Sequence, residues 1–423
     1  MNTRRRFLIQ SVTSTIDQAM LSGLNLLVGL VLIRYTTKET YGIYSQLFGI
    51  GLLSTSLLDA MIRSALTTMA GQLDADRRGS LVARTARIEW VAATALAIIA
   101  GFGLWLVASR LNLSENTIHL ALSFAAFIFL MASREYCRTA LFIDSRPNMV
   151  AWLDFVFVIA TLSSLAFALW VGPISVTLVM LLLAASNGIA AALYSFKLMH
   201  GVGSSSIWQV YLCDIRSLWA LSKWALAGAT LAWIGNNCYM YFVAEVVGVE
   251  ALADVNAARL LLAPIFVVGM AWTRVARPAM GLLIASSDSA ALDSFVKRSF
   301  MALEGIIAVY LMILLGVLPS LTVHVLGAKY RDLSTTLVLW WGCYFAISTA
   351  RGIGTAVLTS LGAYQALFWQ SLISVLFLLL AWWWSIPRFG VTAAVLSMFI
   401  VEFGRLIDNH AYQLPRARRS QRL

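Results

Sequence analysis

The chain has 423 residues, of which 60% are apolar types and only 12% are charged, with a formal net charge of +11. A soluble domain is about 25% charged, so this chain cannot cover its own surface in water, and lipid must be the solvent for most of it. That composition excludes an ordinary soluble enzyme.

Apolar runs long enough to cross a bilayer, roughly 20 residues each, lie near 12–33, 42–63, 88–109, 117–140, 149–171, 174–196, 221–243, 256–280, 300–324, 335–358, 365–385 and 389–408. They show none of the alternation of a transmembrane β-barrel. Only helices then satisfy every backbone group inside lipid. The expected fold is an all-α polytopic membrane protein of about 12 transmembrane helices.

Arg4, Arg5 and Arg6 precede the first run. The run outlasts a secretory h-region and lacks a convincing cleavage site, so it reads as a retained helix, with no soluble domain before or after the bundle. It carries Asp17. Glu39-Thr40-Tyr41-Gly42-Ile43-Tyr44 leads into the second run, which ends with Asp59 and Arg63, an i, i+4 pair able to neutralise itself. The charged segment 64–87 holds Asp74-Ala75-Asp76, a carboxylate pair that could hold a metal but reads better as solvated loop. Arg134, Glu135 and Arg138 close the fourth run, and Asp154 opens the fifth. Arg134, Arg138 and Arg351 could also snorkel to the membrane surface.

Gly201-Val202-Gly203-Ser204-Ser205-Ser206 begins a linker, 201–220, between a six-helix lobe at 1–200 and a second at 221–423 that ends in the basic tail Arg416–Arg422. The halves are weakly alike. Glu250 to Val255 follows Glu39 to Tyr44 at an offset of 211, and Arg277 follows Arg63 at 214. An even number of spans per half makes the repeats parallel, and transporters place their sites between such halves. The segment 244–255 reads as the longest outer loop. Arg259 then interrupts the eighth run with no acid on its own helix, Glu304 lies in the ninth, and Glu402, Arg405 and Asp408 recur in the twelfth.

Lys and Arg favour the cytoplasmic side of short loops. With the N-terminus inside, 24 of the 31 fall inside and 6 outside, Arg259 being within a span. Both termini are therefore expected in the cytoplasm, and the net positive charge is explained by topology and anionic headgroups with no need for nucleic acid. Trp105, Trp170 and Trp382 to Trp384 fall where an outer aromatic belt is expected.

Cys137, Cys213, Cys238 and Cys343 are scattered, as are His119, His200, His324 and His410, so no metal site or cofactor is expected. There is no P-loop, no H-E-x-x-H and no nucleophile elbow. Transport without intrinsic ATP hydrolysis is the class that remains. Charges at bilayer depth tend to face a cavity or a partner. Arg259, Arg63, Arg134, Arg138 and Arg351 are accordingly candidates for binding an anionic cargo, since guanidinium groups grip phosphate bidentately. Asp17, Asp59 and Glu304 are candidates for a coupling cation, H+ or Na+.

The stretch Gly23–Tyr44, the turn Leu326-Gly327-Ala328-Lys329-Tyr330 and the entry Phe389-Gly390-Val391-Thr392-Ala393-Ala394 together resemble the O-antigen and exopolysaccharide flippases of the multidrug/oligosaccharidyl-lipid/polysaccharide exporter (MOP) superfamily. That resemblance implies two pseudo-symmetric six-helix lobes around a central cavity, and alternating access in a bacterial inner membrane. It implies an undecaprenyl-diphosphate-linked oligosaccharide as cargo, with a polysaccharide polymerase and export machinery as partners. A cation-coupled multidrug and toxin extrusion (MATE) antiporter is the alternative. A membrane glycosyl-lipid polymerase or ligase is a third, disfavoured by the short outer loops.

Overall fold

The structure is a computed structural model that describes the backbone of residues 3–71, 73–110, 116–200, 207–286 and 288–420. Side-chain surroundings are described for these except at 3–17, 75–76, 109–110, 196–200, 207–214, 220–221, 274, 278, 285 and 418–420. Of the expected linker 201–220, residues 201–206 lie outside the described residues and 207–220 are not a linker but the opening of a helix, Ile207–Asn237; the side chain of Asp17 also lies outside the described residues.

Every element among the described residues is helical. The helices are α1 (Thr3–Tyr35), α2 (Lys38–Leu58), α3 (Ser64–Ala70), α4 (Ala75–Arg110), α5 (Thr117–Ile143), α6 (Pro147–Val171), α7 (Val176–His200) and α8 (Ile207–Asn237). They continue with α9 (Tyr239–Val246), α10 (Val249–Leu261), α11 (Ala263–Ala285), α12 (Ser289–Leu321), α13 (Thr335–Ser360), α14 (Tyr364–Phe389), α15 (Val391–Asp408) and α16 (Leu414–Ser420). A π-helical turn, Asp59–Arg63, joins α2 to α3 without a break. Among the described residues, eight spans are long and apolar enough to cross a membrane, and the pair α10–α11, bent by 48°, makes a ninth if taken as one span. The remaining expected runs are also helical. α15 fails on charge alone: Glu402, Arg405 and Asp408 fall within its 18 residues.

By their contacts the residues form two compact units. One comprises Met1–Val28 with Ile43–Thr230, the other Gly29–Gly42 with Leu231–Leu423. Each repeats one neighbour pattern. In the first, α5 packs on α4 and α7, and α7 packs on α6. In the second, α13 packs on α12 and α15, and α15 packs on α14. The helix at the centre of each pattern, α5 or α13, carries buried or half-buried arginine.

The expected outer loop at 244–255 is not a loop. α9 and α10 run almost end to end across it, and Gly248, at φ 115, supplies the left-handed backbone that turns one into the other. The eighth span is broken as well. Pro264 lies in the first turn of α11 and removes the amide that would have continued the ladder from α10.

Arg34 and Lys38, from the first segment that carries the sequence resemblance, meet the Leu326–Tyr330 turn in the second unit. Lys38 is paired with Asp254 at 2.7 Å and lies 5.0 Å from the ring centre of Tyr330. Arg34 donates to the carbonyl of Val323 at 3.0 Å. Gly42 passes so close to α10 that a Cβ there would lie 2.5 Å from the Val249 carbonyl oxygen. Gly42→Ala is therefore expected to cost about 1–3 kcal/mol as an overpacked contact, because backbone cannot yield as a side chain can. A lower unfolding midpoint in detergent checks this. Gly23→Ala, where nothing lies within 4 Å, should not lower it.

The aromatic belt is only partly as expected. Trp170, Trp383 and Trp384 are exposed, as lipid-facing side chains would be, but Trp382 is fully buried and donates to the Ala394 carbonyl at 3.2 Å. Consecutive helical residues point about 100° apart, so three adjacent tryptophans cannot all face lipid.

Candidate functional site

The first unit encloses a cavity of about 610 Å³. Its wall includes Asp59, Arg63, Arg134, Glu135, Arg138 and Asn187, with Tyr44, Phe48, Phe127 and Phe157 as apolar neighbours. Three of the arginines predicted from the sequence and one of the predicted carboxylates thus share one cavity.

Those arginines are not free. Arg63 does not rely on Asp59: its Nε donates to Glu89 Oε1 on α4 at 3.0 Å, and Glu89 is completely buried. A buried carboxylate with no counter-charge is very costly, so Arg63 is held where it neutralises Glu89. Arg134 reaches Glu135 at 2.5 Å and stacks its guanidinium 3.7 Å from the Phe157 ring centre. Arg138 bridges Glu135 at 2.8 Å and the fully buried Asp154 at 2.7 Å. Neither Arg134 nor Arg138 snorkels to the surface: both are drawn inward by carboxylates. Asp59 is exposed at the cavity wall, with no hydrogen bond or ion pair among the described residues. The result is a polar, charge-balanced chamber rather than a basic one.

The second unit repeats the theme. Arg351 on α13 is ion-paired with Glu402 on α15 and also donates to Thr355 at 3.1 Å. Arg405 holds the other oxygen of Glu402 at 3.1 Å. The expected self-neutralising trio of the twelfth run is thus completed from another helix. Asp408 is left to the amides of Gln370 and Gln413. Glu304 on α12 has one buried oxygen without a partner among the described residues.

Arg259 differs from the other four candidate arginines. It sits in the last turn of α10, beside the break. Its Nη1 donates to the Tyr239 hydroxyl at 3.2 Å and, at 3.4 Å, to the Asn236 carbonyl. Its guanidinium carbon lies 5.4 Å from the Trp341 ring centre and 5.8 Å from that of Tyr239. No carboxylate pairs with it among the described residues, and its nearest acid in sequence, Asp254, is taken by Lys38. The edge formed by Nε and Nη2 is left without an acceptor among the described residues. That edge is the fork through which arginine takes phosphate bidentately. Aromatic faces hold the charge without neutralising it.

Sequence reasoning missed Glu89, Tyr239 and Trp341. Glu89 was legible as a lone acid at the head of an apolar run, and one buried acid demands a buried base. The aromatic cradle had no such signal, since aromatics are common in every span.

No family model matches the chain, and no curated protein does. Solved structures match over nearly its whole length. An inward-facing multidrug resistance MATE family transporter of the MOP superfamily superposes with a TM-score of 0.68 at 13% identity, covering 96% of this chain and 95% of that one. The chain has the MATE transporter fold. A MOP superfamily transporter from Pyrococcus furiosus, described as having a binding pocket of reverse polarity that suggests a different function, gives 0.67 at 12%, covering 100% and 97%. A point mutant of the Vibrio cholerae MATE transporter VcmN gives 0.63 at 12%, covering 98% and 97%. The MATE fold has twelve helices, in agreement with the twelve runs of the sequence.

Proposed function

We propose that this chain is a transporter of the MOP type whose cargo is anionic, an undecaprenyl-diphosphate-linked oligosaccharide moved across the bacterial inner membrane without ATP hydrolysis. The observation that carries this reading is Arg259, an intramembrane guanidinium whose phosphate-binding edge is unoccupied by any carboxylate among the described residues. A pump for organic cations gains nothing from such a group, because like charge repels the cargo. The Pyrococcus furiosus transporter, whose reverse pocket polarity is described as suggesting a different function, supports the reading that this fold serves more than one function. The sequence motifs at Gly23–Tyr44, Leu326–Tyr330 and Phe389–Ala394 point the same way. Arg63, Arg134, Arg138 and Arg351 are assigned to shaping their surroundings through ion pairs. Asp59, at the cavity wall of the first unit with no hydrogen bond or ion pair among the described residues, is the candidate for coupling-cation uptake, with Glu304 second and Asp17 third.

Deletion of the gene tests the reading. Surface polysaccharide should be lost and lipid-linked repeat units should accumulate at the inner leaflet. Normal surface polysaccharide in a strain without a second flippase would overturn it.

The MATE-type antiporter is favoured by one observation: the cavity of the first unit is lined by carboxylates and aromatics as well as arginines. Expression in a pump-deficient host separates the two. Raised resistance to cationic drugs supports the antiporter, and unchanged sensitivity supports the flippase.

A further inference from the structure

The second unit carries a lateral groove of about 620 Å³ between α14 and α15. Its rim is apolar and exposed: Trp369, Ile373 and Phe377 on α14, and Ile400 on α15. Its floor is polar. Gln370 is 8% exposed, and its Nε2 donates to Asp408 at 2.6 Å and Asn409 at 2.9 Å, while its Oε1 is buried with no partner among the described residues. Arg405 spends its Nη groups on Glu402 and Ser371, and its Nε is buried with no acceptor among the described residues. Asp408 receives only amide donors and no cation among the described residues.

The 18 residues of α15 rise about 27 Å at 1.5 Å each. The rod starts at the Gly390 turn and runs on through Asn409–Gln413 into α16; Arg405 and Asp408 lie about 21–26 Å along it from that turn, close to the thickness of the hydrocarbon core. The groove thus runs from an apolar channel to a zwitterionic pair at headgroup depth. We propose that it is a binding site for one zwitterionic phospholipid with an ethanolamine headgroup. The phosphate lies toward the Arg405 guanidinium, the ammonium lies against the Asp408 carboxylate, and an acyl chain lies along Trp369, Ile373 and Phe377. An anionic lipid with a neutral headgroup would meet Asp408 unfavourably, so the pair selects by charge.

Gly404 gives the test. It lines the groove, and a Cβ there would meet nothing within 4 Å. Gly404→Leu should fill the channel without touching the polar floor, and leucine suits a helix better than glycine. Asp408→Asn keeps an acceptor for Gln370 but removes the charge. The full-length protein in mild detergent is mixed with phosphatidylethanolamine and phosphatidylglycerol of identical chains and examined by native mass spectrometry. The wild type should retain one phosphatidylethanolamine in preference by about tenfold, the scale of one charge-assisted contact. Gly404→Leu should lose that lipid, and Asp408→Asn should bind the two headgroups equally. If Gly404→Leu does not fold, Asp408→Asn carries the test alone. A wild type with no headgroup preference, or folded variants that retain the lipid as the wild type does, overturns the proposal.

Discussion

Arg259→Ala is expected to abolish cargo export while leaving the protein inserted and folded. The side chain makes no ion pair among the described residues, so its removal strands no buried carboxylate there. What is lost locally is a hydrogen bond to the Tyr239 hydroxyl and the contact with Trp341. What is lost functionally is a charge-assisted bidentate contact, worth about a 10- to 100-fold drop in affinity for a diphosphate. Arg259→Lys separates charge from geometry. It should restore part of export if charge suffices and little if the planar fork is needed. Arg388→Ala is the control, since Arg388 is exposed at the end of α14 and donates to the Trp384 carbonyl. The measurement is lipid-linked oligosaccharide reaching the outer leaflet at matched expression. Full export by Arg259→Ala would remove this residue from the site.

Asp154→Ala is expected to do the opposite, destroying the folded protein rather than its selectivity. Asp154 is fully buried and holds Arg138 at 2.7 Å, with Arg134 at 3.8 Å. Removing it leaves guanidinium charge uncompensated in a low-dielectric interior, a loss of about 3–5 kcal/mol. The unfolding midpoint in detergent should fall and the yield of monodisperse protein should collapse. Asp154→Asn should be milder, because the amide oxygen still accepts from Arg138. A wild-type midpoint for Asp154→Ala would mean that the buried network contributes no net stability.

The helices were almost wholly legible because lipid leaves the backbone no alternative, and each of the twelve apolar runs became helix. Helix ends and breaks were less so. Pro264 marked the break in the eighth span in plain view, but Gly248, set among valines between Glu245 and Glu250, gave no sign of a corner, and a helical turn was read as a loop. Among the candidate residues, sequence spacing picked out arginines that the structure buries or half-buries, but not their partners. Asp59 stands four residues before Arg63 and is the obvious mate by local geometry. The actual mate, Glu89, lies 26 residues away on another helix. Local spacing reports what can meet on one rod, whereas a buried charge is matched by whatever the packing of several rods brings near. Arg259 was identifiable for the converse reason: no acid was placed to reach it locally, and packing supplied aromatics instead.

The π-helical turn at Asp59–Arg63 acts as a gear within the second span. Each residue of an α-helix advances the chain by about 100°, and a π-turn holds one residue more than an α-turn. Everything beyond it is therefore set back by about that angle. Leu58 before the turn and Leu66 after it are both buried, although eight residues of unbroken α-helix would point them about 80° apart; the set-back brings them to nearly one face. Removing one residue within the turn would not shorten the span appreciably. It would rotate α3 against its neighbours, swinging the buried stripe toward the open side while the rod stayed long enough to cross.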